Sequence, residues 1–189
     1  MNQRTFRKIH RQVAPILFLP LMISALSGIG YRLGKSWFGM SGEAADIFMI
    51  FHQGEYLGDA LKPIYVLLLG IGLIGMIVTG VTMSRFWQPS NPKASSSLPA
   101  FRQIHRKFAP IIFLPLALSA FTGIFYRIGK SWFGMSSEQA EIFMDIHQGE
   151  YFGDFGKPIY VLLVGLGLIA MLATGIKMTG IFRQRRPQE

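Results

Sequence analysis

Residues 6–21 read FRKIHRQVAPILFLPL, and residues 101–116 read FRQIHRKFAPIIFLPL. Each starts with a basic cluster around one histidine and runs on into an uncharged apolar stretch. Residues 6–87 superimpose on residues 101–182 without a gap, and roughly two-thirds of the aligned positions are identical, far above what unrelated segments give. GKSWFGMS stands at both 34–41 and 129–136. HQGEYLGD at 52–59 becomes HQGEYFGD at 147–154, and KPIYVLLLGIGLI at 62–74 becomes KPIYVLLVGLGLI at 157–169. The chain reads as a tandem duplication: a first repeat over 1–87, a Pro/Ser-rich linker over 88–100, and a second repeat with a basic tail over 101–189.

Each repeat holds two apolar runs, 13–31 and 64–84 in the first, 108–126 and 159–176 in the second. Each approaches or reaches the roughly 20 residues that a helix needs to cross the hydrocarbon core. The expected fold is an all-α integral membrane protein, a four-helix bundle built from two copies of a two-helix unit. Composition agrees: of 189 residues, 50% are hydrophobic and 15% charged, against about a quarter charged in a soluble domain. Pro20 and Pro115 fall mid-run, where a membrane helix tolerates a kink. Pro63 and Pro158 stand where the second helix of each unit is expected to begin. The first run is longer than a signal-peptide core and recurs in mid-chain, so it is read as structural.

Charge orients the bundle. The N-terminal arm, the linker with its flanks and the C-terminal tail are strongly basic, with Glu189 as their one acid; every other acid lies in the loops over 32–62 and 127–157. The positive-inside rule puts both termini in the cytoplasm, as in a bacterial inner membrane or a thylakoid. Residues 41–52 and 136–147 begin with serine, carry a glutamate early and mix Ile, Phe and Met with acids. They are expected to form short amphipathic helices lying on the outer surface.

The chain has no cysteine and four histidines: His10, His52, His105 and His147. The absent thiol excludes disulfides, thiolate zinc sites, iron–sulfur clusters and covalent c-type haem. The histidines form two symmetry-related pairs, His10 with His105 at the inner end of the first helices and His52 with His147 at the outer side. Within a repeat the two levels are about 30 Å apart, so a shared site needs one histidine from each repeat. Two imidazoles suit the axial positions of a haem iron, whereas zinc is left short of protein ligands. The competing reading is interfacial hydrogen bonding. Gly28 and Gly123 lie about 27 Å along the helix from His10 and His105, with room for a flat macrocycle or for close helix packing. Arg32 and Arg127 are candidates for holding haem propionates at the outer site, and Arg7, Arg11, Arg102 and Arg106 at the inner one, against a simpler role as interfacial anchors.

Several motifs resemble the PepSY-associated transmembrane family. They are the Arg-x-x-His-Arg entry to the first helix (Arg7 to Arg11, Arg102 to Arg106), Leu-Pro-Leu (Leu19 to Leu21, Leu114 to Leu116), Ser27-Gly28 and Thr122-Gly123. The segments opening at His52 and His147 and the Thr79-Gly80 and Thr174-Gly175 endings complete the set. The resemblance covers nearly all of both repeats. It implies a b-type haem membrane reductase with His10, His52, His105 and His147 as haem ligands, linked in some relatives to iron–siderophore reduction. The loops here are too short for the extracytoplasmic PepSY domain that relatives often carry.

The expected function is transmembrane electron transfer by a b-type cytochrome with two bis-histidine haems b, as the membrane part of a ferric or other reductase, hence a haem-dependent oxidoreductase. The expected partners are membrane lipid, an electron donor and acceptor, and a larger membrane complex or a second copy in a homodimer, with no nucleic acid. The alternative is a non-redox accessory or assembly subunit that binds pigment through the same histidines. Two textual matches carry nothing. Gly70-Ile71-Gly72-Leu73-Ile74-Gly75 copies a dinucleotide fingerprint inside an apolar helix with no strand before it, and Gly34-Lys35-Ser36 lacks the upstream glycine of a P-loop. Glu55 and Glu150 are read as imidazole-orienting or proton-relaying groups, or as solvated loop acids.

Overall fold

The computed structural model describes residues 2–83 and 99–181, and the linker from 88 to 98 and the tail from 182 lie outside the described residues. The first half gives α1 (Gln3–Trp37), α2 (Gly42–Gln53), a 3-10 turn (Glu55–Leu57) and α3 (Lys62–Met83). The second gives α4 (Ala100–Trp132), α5 (Ser137–Gln148), a 3-10 turn (Glu150–Phe152) and α6 (Gly153–Thr179). No strand occurs among the described residues. α1, α3, α4 and α6 are long and apolar enough to cross a membrane.

The helices overrun the apolar runs that announce them. The run over 13–31 is the middle of a 35-residue helix, because hydropathy marks only the stretch suited to hydrocarbon while backbone hydrogen bonding continues past it. Asn2 caps α1 by accepting from the Arg4 N–H at 3.2 Å. Pro63 stands one residue inside α3, as expected, but Pro158 lies well inside α6 and is fully buried. The reason is that α6 starts at Gly153, directly from the 3-10 turn, and so gains a turn that α3 lacks.

The short helices have sharp ends. Ser41 Oγ accepts from the Ala44 N–H at 3.3 Å, and Ser136 and Gln139 form a reciprocal capping box, satisfying donors that a helix start leaves open. At the other end Gly54 (φ 71°) and Gly149 (φ 70°) adopt the left-handed conformation, which stops each helix two residues after its histidine. α2 runs back along α1 rather than standing apart on a surface: Met40 packs on Gly34, Phe48 on Gly30 and His52 on Gly28. α5 does the same along α4 through Met135 on Gly129 and His147 on Gly123. α1 is long enough past its apolar run, and its glycines leave enough space, for this return to be possible.

The four long helices form a ring in which α1 and α4 each pack against both α3 and α6. Lipid tails are as apolar as leucine, so such helices gain from close fit more than from burial. Alternate glycines supply the fit. A Cβ at Gly70 of α3 would lie 2.5 Å from Ile124 of α4, and one at Gly72 would lie 2.7 Å from Leu17 of α1. Gly165 and Gly167 of α6 receive Ile29 of α1 and Ile112 of α4 in the same way. The core cluster of Ala25, Leu116 and Leu168, with Leu73 and Ile77 packed on it, joins all four helices at mid-height. Ile16, Leu19, Leu68 and Leu163 point outward, exposed, the pattern of a surface that faces lipid.

Candidate functional site

Two histidine pairs lie on opposite sides of that core, one toward the loops and one toward the chain termini. On the loop side, α2 and α5 end by delivering His52 and His147 to the space between α1 and α4. Their ring centroids are 6.2 Å apart with an interplanar angle of 70°. His52 Nδ1 lies 2.8 Å from the Ser24 carbonyl oxygen and His147 Nδ1 lies 2.9 Å from that of Ser119. A carbonyl only accepts, so each Nδ1 carries the proton and each Nε2 keeps its lone pair. Among the described residues, neither Nε2 has a hydrogen-bond partner. Burial pushes both imidazoles below the ordinary histidine range, His147 to about 4, where His52 adds to the effect. Both rings are neutral at pH 7, the form that binds a metal.

The glycines explain how the rings fit. A Cβ at position 28 would lie 3.1 Å from His52 Cε1, and one at position 123 would lie 3.2 Å from His147 Cε1. Gly28 and Gly123 therefore seat the imidazoles themselves. His52 and His147 open onto a cavity of about 210 Å³ that Arg32, Arg127, Met49 and Met144 also line. Gln53, beside His52, contributes a buried Oε1 that lacks a partner among the described residues.

On the terminus side the imidazoles bond to different partners. His10 Nδ1 lies 2.7 Å from Thr79 Oγ1, and His105 Nδ1 lies 2.9 Å from Thr174 Oγ1. Each hydroxyl donates its one proton to a carbonyl of its own helix, Thr79 to Gly75 at 2.8 Å and Thr174 to Ala170 at 2.6 Å. The threonine must then accept from the histidine, which again leaves Nε2 with its lone pair. His10 and His105 thus occupy equivalent places in the two halves, each bonded to a threonine of the helix beside it.

No family model, curated protein or solved structure matches the chain.

The other sequence candidates are sorted by the same contacts. Arg32 and Arg127 are half-buried at the cavity, their guanidinium carbons 6.0 and 5.9 Å from the rings of Tyr31 and Tyr126, and neither forms an ion pair among the described residues. Arg7, Arg11, Arg102 and Arg106 are all exposed, and Arg7 and Arg11 border a separate cleft that His10 does not line. Glu55 does not touch an imidazole: it pairs with Lys62 at 2.8 Å, and Glu150 pairs with Lys157. Among the described residues, no group of three or more His, Asp, Glu or Cys side chains is placed to hold a metal ion. The threonines were legible only as part of a Thr-Gly helix ending. Their signal is the identical spacing of 69 residues from histidine to threonine in both halves.

Proposed function

We propose that the chain is a four-helix membrane cytochrome of b type that passes single electrons between the two faces of the bilayer. His52 with His147 would hold one haem b and His10 with His105 the other. The observation that carries this reading is the loop-side pair. One imidazole from each half lies with its ring centroid 6.2 Å from the other, each held through Nδ1 so that Nε2 keeps its lone pair, and the two would hold one haem between the halves.

The donor set fits haem better than a bare ion. Each level offers two imidazoles, which would hold a haem, whereas zinc asks for three or four protein ligands. Hydrogen-bonded Nδ1 atoms fix the tautomer and ring orientation, as second-shell partners of metal-binding histidines do. Arg32 and Arg127, half-buried and in no ion pair within 4 Å among the described residues, would suit the propionates, with Glu150 also acting on Arg32. Bound haem supplies a one-electron ferric/ferrous couple, while the chain supplies ligation, burial and the distance between levels. The duplication, the cytoplasmic termini and the likeness to PepSY-associated reductases belong to this reading, with the donor and acceptor outside the chain. α2 and α5 would then serve as amphipathic covers of the outer site.

The test is vectorial electron transfer. In vesicles holding ferricyanide, externally added dithionite should reduce the interior only when the protein is present. His10→Ala and His147→Ala should each stop it. Reduction that persists in either variant contradicts a route through both levels, and the absence of any protein-dependent reduction favours the accessory-subunit reading.

A further inference from the structure

The first three turns of α1 carry Arg4, Arg7, Lys8 and Arg11. Steps of three, four and seven place all four cations on one helical face. The first turn holds no acid, and the positive end of the helix dipole adds to the same charge. Like charges one turn apart repel, so this face favours a counter-anion. These exposed side chains border an open cleft of about 400 Å³, with Thr179 and Ile181 at the end of α6 on its other side. Arg11 Nη2 donates to the Thr179 carbonyl at 3.2 Å, holding the end of α6 against the stripe. Among the described residues none of the four cations forms an ion pair. The matching positions of the second half are Pro99, Arg102, Gln103 and Arg106, with half the charge.

We infer that Arg4, Arg7, Lys8 and Arg11, with the end of α6, form a binding site for a multiply charged phosphate group. Several cations converging on one recess call for more charge and more acceptor oxygens than one carboxylate carries. Arginine forks match phosphate oxygens in pairs, and basic recesses between membrane helices hold diphosphate lipid headgroups. A soluble diphosphate offers the same chemistry. The site is separate from both histidine levels and does not depend on haem.

The experiment uses the full chain purified in dodecyl maltoside. Binding of cardiolipin, phosphatidylglycerol and phosphatidylcholine is measured by native mass spectrometry, and binding of pyrophosphate by calorimetry. Cardiolipin or pyrophosphate should bind in preference to phosphatidylcholine. The double change Arg4→Gln, Lys8→Gln should weaken that binding by about thirtyfold. Arg102→Gln, Lys107→Gln removes equal charge from the second half and should change it by less than about threefold. Because the first change also relieves repulsion, it should leave the melting temperature unchanged or raised. Pyrophosphate competing with the lipid would identify a soluble phosphate compound as an occupant, and a response to cardiolipin alone would identify a lipid headgroup. Equal weakening by the two double changes, or no preference over phosphatidylcholine, would overturn the site.

Discussion

The loop-side and terminus-side histidine pairs offer the same imidazole tautomer by different means. His52 and His147 donate to main-chain carbonyls of Ser24 and Ser119, within their own halves and against glycine. His10 and His105 donate to the hydroxyls of Thr79 and Thr174, one helix away. A backbone acceptor cannot be deleted by changing a side chain, whereas a threonine can be. The closest partner of each loop-side imidazole is therefore fixed by the fold, whereas the closest partner of each terminus-side imidazole is a hydroxyl that one substitution removes, with the Met76 and Met171 main chain beside it.

The largest effect expected is from removing a ligand. His147→Ala should lower bound haem from two per chain to one, with the spectrum of the terminus-side haem retained. Equal loss from both sites would break the separation into two levels. Next comes Thr79→Val, which keeps shape and removes the acceptor. It should weaken haem binding at the terminus side by about tenfold to a hundredfold, while Ser24→Ala, which leaves the carbonyl in place, should cost the loop side less than about threefold. Comparable losses, measured by haem titration of the stripped protein, would show that the backbone bond does not dominate the loop-side shell.

The glycines sharpen the contrast further. Gly28→Ala puts a methyl 3.1 Å from the His52 ring, whereas Gly80→Ala puts one 3.6 Å from His10, an ordinary contact. Loop-side affinity should fall several-fold in the first variant and terminus-side affinity should barely move in the second. The smallest effect is on pH dependence. The folded state depresses the loop-side histidines, so the unfolded chain binds more protons below its own value of 6.5. Stability of the haem-free protein is then fully present above about 6.5 and declines as pH falls toward about 4. The melting temperature should drop by a few degrees over that window, and His147→Asn should flatten the drop. A flat profile in the parent chain would contradict the burial of neutral imidazoles.

Much of this was legible in the residues. The apolar runs located all four long helices, and Ser41 and Ser136 marked the caps of the short ones. The cross-packing was not legible: nothing in Gly70-Ile71-Gly72 says that one glycine receives Ile124 and the other Leu17, because lipid-facing and helix-facing positions share one apolar vocabulary. The same limit hid Thr79 and the return of α2 along α1. Such contacts depend on how one helix is set against another, which a local pattern does not encode. Helical rise puts Gly28 at the depth of His52, with either a macrocycle or a packed helix as its expected neighbour, and the structure seats the His52 imidazole there. Depth follows from helical rise, but a facing partner does not.

The measurement that tests the central claim most directly is the haem content of the purified full-length chain, by absorption spectrum and extraction. The account predicts two non-covalent haems b per chain, both low-spin and six-coordinate. A colourless protein, or one haem per chain whose spectrum is unchanged by His52→Ala and His10→Ala alike, would contradict it.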